Sequence, residues 1–277
     1  MHITDTLNFY EEVKDDIKSQ STSIIRTKIM ISLSEGPKKT KDLRELTGIP
    51  ASTLIHGINE LEKQELVLKE KDKFFLSQMG KIMALKLVDT VRAYVSMKKL
   101  QKLLFNHQIK DIPQDLLMNI GDLSNSQLIE TDNIDLFKTH GTHIEIVLDS
   151  KEIKGVSPIF YPNYAGIFKK LIEEEVKVEL ILTEDVLKKT IESVEEGKKD
   201  LEELILTRNL TLWILNDVKV AFTITNKSMV LGLFLINDMY DSSRLLVSDD
   251  KDSINWGNKL FEYYRKKSKK LDLEYFK

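Results

Sequence analysis

The sequence predicts an α+β protein of more than one domain, and three observations predict it. Between residues 23 and 76, three short apolar-periodic segments are divided at Gly36-Pro37 and Gly48-Ile49-Pro50, then followed by two strand-like runs around a polar tip at Glu70 to Asp72. Residues 78 to 106 continue with no proline and only Gly80 near the start. From residue 111 onward, strand-length apolar runs alternate with helical periodicity and end in a meander. Helix, helix, helix, hairpin is the order of a winged helix-turn-helix. The expected layout is a winged helix-turn-helix at 1–77, a long linker or dimerisation helix at 78–110, and an α/β sensor-like domain with a mixed sheet at 111–277.

A chain of 277 residues has length for about two domains, and 42% apolar residues are enough to fill their cores. No run reaches the ~18 apolar residues of a membrane span, and the opening Met-His-Ile-Thr-Asp-Thr lacks the basic and apolar regions of a signal peptide. Without cysteine there is no disulfide framework, zinc knuckle or thiol nucleophile. These features predict a cytoplasmic protein with no membrane partner.

Taken in order, residues 5–20 have Leu7, Phe9, Tyr10, Val13 and Ile17 at near-helical spacing, an amphipathic helix for the next domain or a partner subunit. In the third helix of the winged segment, Leu54, Ile58 and Leu61 share one face, set to bury against Ile29, Leu33, Leu43 and Leu46. The opposite face carries Ser52, Thr53, His56, Asn59 and Lys63, side chains suited to base edges and phosphates in a major groove. Lys41, Lys69, Lys71 and Lys73 complete the expected contacts with double-stranded DNA. Gly57 is anomalous in a helix interior; close approach to a second helix or to the DNA backbone, or plain tolerance, would account for it.

The 78–106 segment has an apolar arc (Ile82, Leu85, Leu87, Val88, Val91, Tyr94, Val95, Leu100, Leu103, Leu104) too broad for one surface stripe. Its own domain and a second subunit would cover it, which predicts a homodimer; a linker buried between two domains is the alternative. Residues 1–110 hold 19 Lys and Arg against 14 Asp and Glu, a balance of +5, and residues 111–277 hold 22 against 30, a balance of −8. That asymmetry places positive charge on the half expected to meet phosphates.

In the C-terminal part, strands are expected near 127–130, 155–160, 176–183, 210–215, 220–225, 229–235 and 245–248. Helices are expected near 132–140, 162–174, 184–206 with a break by Gly197, and 251–269. Ser157-Pro-Ile-Phe-Tyr-Pro, Val178-Glu-Leu-Ile-Leu-Thr-Glu, Leu231-Gly-Leu-Phe-Leu and Ile254-Asn-Trp-Gly-Asn-Lys-Leu-Phe-Glu-Tyr-Tyr-Arg together make the chain resemble archaeal winged-helix transcriptional regulators. The group is the one named for the methanogenesis and filament regulatory protein of methanogens. The resemblance covers nearly the whole chain and implies a transcription factor with a C-terminal sensor domain; it brings no ligand and no catalytic residue.

Catalytic patterns are missing. The strand–helix pattern is similar to half of a phospholipase D fold, but none of the five histidines has the lysine two positions on that this chemistry needs. There is no phosphate-cradling glycine loop and no nucleophile elbow. No cofactor is expected. His140 and His143 lack a third metal ligand, and Gly141 argues against a firm helix, so they read as solvated surface residues. Asp238, Asp241, Asp249, Asp250 and Asp252 lack calcium-loop spacing and read as turn and capping residues. Arg265, Lys266, Lys267, Lys269 and Lys270 read as a solvated helix end.

An effector would lie beyond the carboxyl ends of the strands. Ser157, Tyr161, Tyr164, Thr183 and Trp213 are the expected lining, with helix starts at Pro162 and Glu184 offering N–H groups to an anion. An adaptor without DNA chemistry, and an enzyme turning over a small molecule, are the competing readings.

Overall fold

The structure, a computed structural model, describes residues 3–193 and 197–272. The chain divides into two compact units between Val91 and Arg92.

The first unit contains α1 (Ile3–Thr22), α2 (Ile24–Ser34), β1 (Lys38–Lys39), α3 (Thr40–Thr47), α4 (Ala51–Lys63), β2 (Val67–Glu70), β3 (Lys73–Leu76) and the start of α5 (Gln78–Lys99). Ser23 caps α2 by accepting from the Arg26 amide at 3.3 Å. Gly48 ends α3 at φ 68°, the left-handed conformation a helix terminus reserves for glycine. β2 and β3 form an antiparallel hairpin with Glu70 opposite Lys73, and Lys71 at its tip has φ 55°. β1 joins the other edge of β3.

The core of this unit is Ile29, Met30, Leu33, Leu43, Leu54, Ile58, Leu61, Val67, Phe74 and Leu76, closed by Ala84 of α5. Leu46 is not part of it. Leu43 and Thr47 take the inner face of α3, the Thr47 hydroxyl donating to the Leu43 carbonyl at 2.6 Å, which leaves Leu46 60% exposed. Gly57 has its explanation in helix packing. A Cβ there would stand 2.7 Å from Ile25 Cγ2 and 2.9 Å from Ile29 Cδ1, so α2 and α4 approach as closely as they do only because it is absent.

The second unit continues with α6 (Gln101–Asn106), α7 (Gln114–Met118), a 3-10 turn at Ile120–Leu123, β4 (Gln127–Glu130), α8 (Lys138–Leu148), β5 (Glu152–Ser157), α9 (Tyr164–Glu173) and β6 (Lys177–Leu182). α10 (Glu184–Glu192), α11 (Gly197–Leu206), β7 (Leu210–Ile214), β8 (Val220–Thr225), β9 (Met229–Leu233), β10 (Arg244–Ser248), α12 (Lys251–Arg265) and β11 (Lys269–Lys270) complete it. Its eight-stranded sheet has the order β11-β7-β6-β5-β8-β9-β10-β4. β5, β6 and β7 run parallel to one another and the remaining pairings are antiparallel, so the sheet is mixed.

Period-two alternation sends side chains to two separate cores. Val156, Ile181, Phe222 and Leu246 meet Trp256, Leu260 and Phe261 of α12 on one face. Val178, Leu182, Leu210 and Leu212 meet Leu171, Ile172 and Leu187 of α9 and α10 on the other.

Several expectations are corrected. The 78–106 helix is interrupted at Leu100, which turns its side chain into the core of the second unit. The strand expected at 155–160 begins earlier and ends before Pro158, which has no N–H to give a ladder. The helix expected at 132–140 starts at Lys138 and runs on to Leu148, because the Asp132 and Asp135 carboxylates accept backbone N–H bonds and hold 132–137 in turns. The last helix stops at Arg265, and Lys269–Lys270 pair with β7 as a strand.

Candidate functional site

In the second unit a cavity of about 180 Å³ lies between the sheet and helices α8 to α11. One end is apolar, with Leu182, Leu187, Leu201, Leu204, Leu210 and Leu212. The other carries the polar tips of His140, His143, Tyr161, Tyr164, Thr223 and Tyr240.

α8 builds that polar end. Residues three apart on a helix share a face, so His140 and His143 point together into the cavity, with Val147 one turn further into the core. The surface reading of these histidines is thus corrected; Gly141 sits inside α8 with nothing near its absent Cβ. His140 stacks against both Tyr161, with ring centroids 4.7 Å apart, and Tyr164, at 5.3 Å and 9°, and the two tyrosine rings lie 4.9 Å from each other. His143 Nδ1 lies 2.5 Å from the Tyr164 hydroxyl and Nε2 lies 2.9 Å from the Thr223 hydroxyl, so both ring nitrogens are engaged.

Burial, with His140 as neighbour, pushes the His143 pKa down to about 4. Burial also pushes His140 down and Tyr161, Tyr164 and Tyr240 up. Every group at this end is therefore uncharged near neutral pH. The charged residues lining the cavity are Lys169 and Asp200, and they pair with each other at 2.7 Å.

Of the residues predicted to line a crevice, Ser157, Tyr161 and Tyr164 are brought together here. Thr183 and Trp213 are not. The Thr183 hydroxyl caps α10 by accepting from the Val186 amide at 3.2 Å. Trp213 follows Leu212 on β7 and so faces the opposite side of the sheet, where its indole donates to Glu179 at 2.8 Å and the Arg265 guanidinium covers its ring. His140, His143, Phe168, Thr223 and Tyr240 were missed. The signal for the histidines was their spacing of three, which was discounted because of Gly141.

The loop before β10 ties this cavity to α6. Tyr240 and Ser242 line the cavity, and Ser242 accepts from the Thr139 hydroxyl at 2.7 Å. Asp241 between them accepts from His107 Nε2 at 2.9 Å, Arg244 at 3.1 Å and the Ser243 amide at 2.9 Å. Asp250 caps α12 by accepting from the Asp252 amide, as expected, and also accepts from the Asn125 side chain, whereas Asp238 accepts from Gln108, which is distant in sequence.

In the first unit, α4 buries Leu54, Gly57, Ile58 and Leu61 and leaves Ser52, His56, Asn59 and Lys63 exposed, with Thr53 half-buried. Lys69, Lys71 and Lys73 of the hairpin are exposed; Lys69 lies over the Phe74 ring. Lys63 and Lys41 make only exposed pairs with Glu60 and Glu45, at 3.0 and 3.9 Å, which leave an ammonium exchangeable. The positive excess of residues 1–110 does not sit here. Residues 1–91 hold 14 Lys and Arg and 14 Asp and Glu, a balance of zero, and the whole surplus falls in 92–110. There Arg92 pairs with Asp252, Lys102 with Glu130, and Lys99 donates to the Ser124 carbonyl. Those cations match the acidic second unit instead.

A chain that joins a helical unit with a small antiparallel hairpin to a mixed-sheet unit holding an aromatic-lined pocket is an α+β protein of two units. It belongs to the archaeal methanogenesis regulatory protein family. Residues 14–94 match the N-terminal domain of the methanogenesis regulatory protein FilR1, and residues 136–267 match its middle domain. A curated relative, the methanogenesis regulatory protein FilR1 of Methanothrix harundinacea (strain 6Ac), is 22% identical over 258 residues, which cover 92% of this chain and 58% of that protein. The chain thus spans under two thirds of that relative's length.

Among solved structures, TrmBL2, an archaeal chromatin protein, is similar over 94% of this chain and 98% of its own, with 14% identity and a TM-score of 0.43. Phosphatidylserine synthase of Haemophilus influenzae Rd KW20 covers 53% of this chain and 40% of its own, with 13% identity and a TM-score of 0.40. Likenesses this distant carry no weight for function. Among the described residues, no helix is long and apolar enough to cross a membrane.

Proposed function

We propose that this chain is a non-enzymatic transcriptional regulator, homodimeric, that binds double-stranded DNA through its first unit and a small molecule through its second. Residues 24–76 act as a winged helix-turn-helix. The carrying observation is the division of α4 into a fully buried apolar face and an exposed Ser52, His56, Asn59 and Lys63 face beside a lysine-bearing hairpin. Ser52, Thr53, His56 and Asn59 approach base edges, and Lys41, Lys63, Lys69, Lys71 and Lys73 hold phosphates. With no net charge on the first unit, affinity rests on these placed contacts and not on a general field. Exposed apolar residues of α1 and of the first unit's part of α5, including Phe9, Val13, Ile82 and Leu85, supply the dimer surface. Ser157, Tyr161 and Tyr164 belong to the effector site.

The test is a salt titration of the full chain on genomic duplex fragments. Discrete fragments should be enriched, and log affinity should fall linearly with log salt concentration, with a slope of about 0.9 per phosphate contact. A Lys71→Gly, Lys73→Ala variant, with glycine matching the left-handed tip, should flatten that slope by about two contacts. Uniform, salt-independent retention of all fragments, or none, rejects the reading.

A further inference from the structure

The second-unit cavity determines what kind of molecule can occupy it, given the proposed role of that cavity as an effector site. We infer that it takes a small uncharged amphiphile: an apolar body of about six to ten heavy atoms seated among the leucines, with one neutral hydroxyl or carbonyl at the Tyr161–Tyr164–Tyr240 end.

Size comes first. A closed apolar cavity of about 150 Å³ holds a benzene molecule; this cavity, of about 180 Å³ and partly open, has room for a slightly larger ring or a short branched chain. Composition comes second. Leu182, Leu187, Leu201, Leu204, Leu210 and Leu212 offer no hydrogen bond, so that end takes hydrocarbon.

Charge is decided by what the cavity lacks among its described lining. Lys169, its one ammonium group, is taken by Asp200 at 2.7 Å. Both nitrogens of His143 are engaged by Tyr164 and Thr223, so it offers no further donor. Of the two helix starts expected to attract an anion, the α10 start has its Glu184 amide donating to the Asn216 side chain at 2.9 Å and carries Glu184 and Asp185 in its first turn. The α9 start begins at Tyr164, whose amide donates to the Tyr161 carbonyl at 3.1 Å; it brings Ala165 and Gly166 into the lining and so offers backbone dipoles but no full charge. A carboxylate or ammonium ligand would be stripped of water with no counter-charge to meet it.

Polarity at the tip has a specific source. The Tyr161 and Tyr240 side chains both reach this end of the lining, and each phenol hydroxyl carries one O–H donor and lone pairs. A neutral donor–acceptor pair of this kind suits one neutral oxygen. The Ser157 hydroxyl adds no donor, since it donates to the Ile159 carbonyl at 2.7 Å.

Calorimetric titration of the full chain with p-cresol, benzoate and benzylamine tests this, because the three differ little in size and differ in charge. p-Cresol should bind, with benzoate and benzylamine at least a hundredfold weaker. Tyr161→Phe should weaken p-cresol about tenfold while leaving toluene unchanged, and Leu212→Trp, which fills the apolar end, should abolish both. Benzoate or benzylamine binding as tightly as p-cresol, with sensitivity to Leu212→Trp, would overturn the charge class while keeping the cavity as a ligand site. Heat from none of the probes, or binding unmoved by Leu212→Trp, would overturn both the inference and the effector-site reading. DNA binding measured on the same variants stays outside this result, so the two proposals fail separately.

Discussion

Replacing Asp241 by alanine is the most informative perturbation of the second unit. The Asp241 side chain is 8% exposed and the His107 side chain it accepts from is 0% exposed. Alanine removes an acceptor used by His107, Arg244 and both the amide and hydroxyl of Ser243. Arg244 keeps Glu130 at 3.0 Å and remains partly solvated, and the Ser243 groups have access to water, so those losses are small. His107 has no such recourse. Its Nδ1 already lacks a partner, so the variant leaves a buried imidazole with neither nitrogen bonded. Orphaning a buried polar group costs about 1–3 kcal/mol. The chain's two tryptophans, Trp213 and Trp256, both lie in the second unit, so fluorescence in a urea titration reports that unit alone. Asp241→Ala should lower its stability by about 1–3 kcal/mol, and adding His107→Phe should recover most of that by removing the orphan. A loss below about 1 kcal/mol, or a coupling below about 0.5 kcal/mol, would refute the account.

His143 sets a pH dependence whose sign follows from its lowered pKa. The unfolded chain protonates near 6.5 and the folded chain only near 4, so stability is full above about 6.5 and falls by a few kcal/mol down to about 4; in urea titrations across that range, His143→Gln should flatten the fall. Gly57→Val places branched carbons against Ile25 and Ile29 and should cost the first unit about 1–3 kcal/mol despite valine's better helix propensity, read by far-ultraviolet circular dichroism. An unchanged midpoint would mean that α2 and α4 can separate freely. Asn59→Ala should shift sequence preference among bound fragments by about 1–3 kcal/mol at one base position and leave the salt slope alone, as a selection experiment on randomised duplexes would show.

The first unit was legible because local signals and packing agree there. Gly48 ends a helix, the Leu54–Ile58–Leu61 spacing defines a face, and the Lys71-Asp72 tip closes a two-residue hairpin. The strands at 127–130, 220–225 and 229–233 were equally plain, being bounded runs of β-branched and apolar residues. The pocket was half-visible. Ser157 ends β5 and Tyr161 lies in the loop just beyond it, where a rule of α/β topology points. His140 and His143 come from a helix whose glycine looked prohibitive, and Tyr240 comes from a loop 76 residues beyond Tyr164 in the sequence, with no periodic signal. Trp213 failed for a simpler reason: a strand alternates, and one residue's shift puts a side chain on the other core. The global charge balance misled because it was summed over a boundary the fold does not respect.

The His107–Asp241 bond has a practical meaning for anyone who would cut or graft this chain. His107, Leu100 and Leu103 precede residue 111, yet all three are interior to the second unit. A fragment starting at 111 would expose a hydrophobic scar and strand a carboxylate. Fusions that borrow this unit should therefore splice within α5, close to Arg92, and carry the rest of that helix with them.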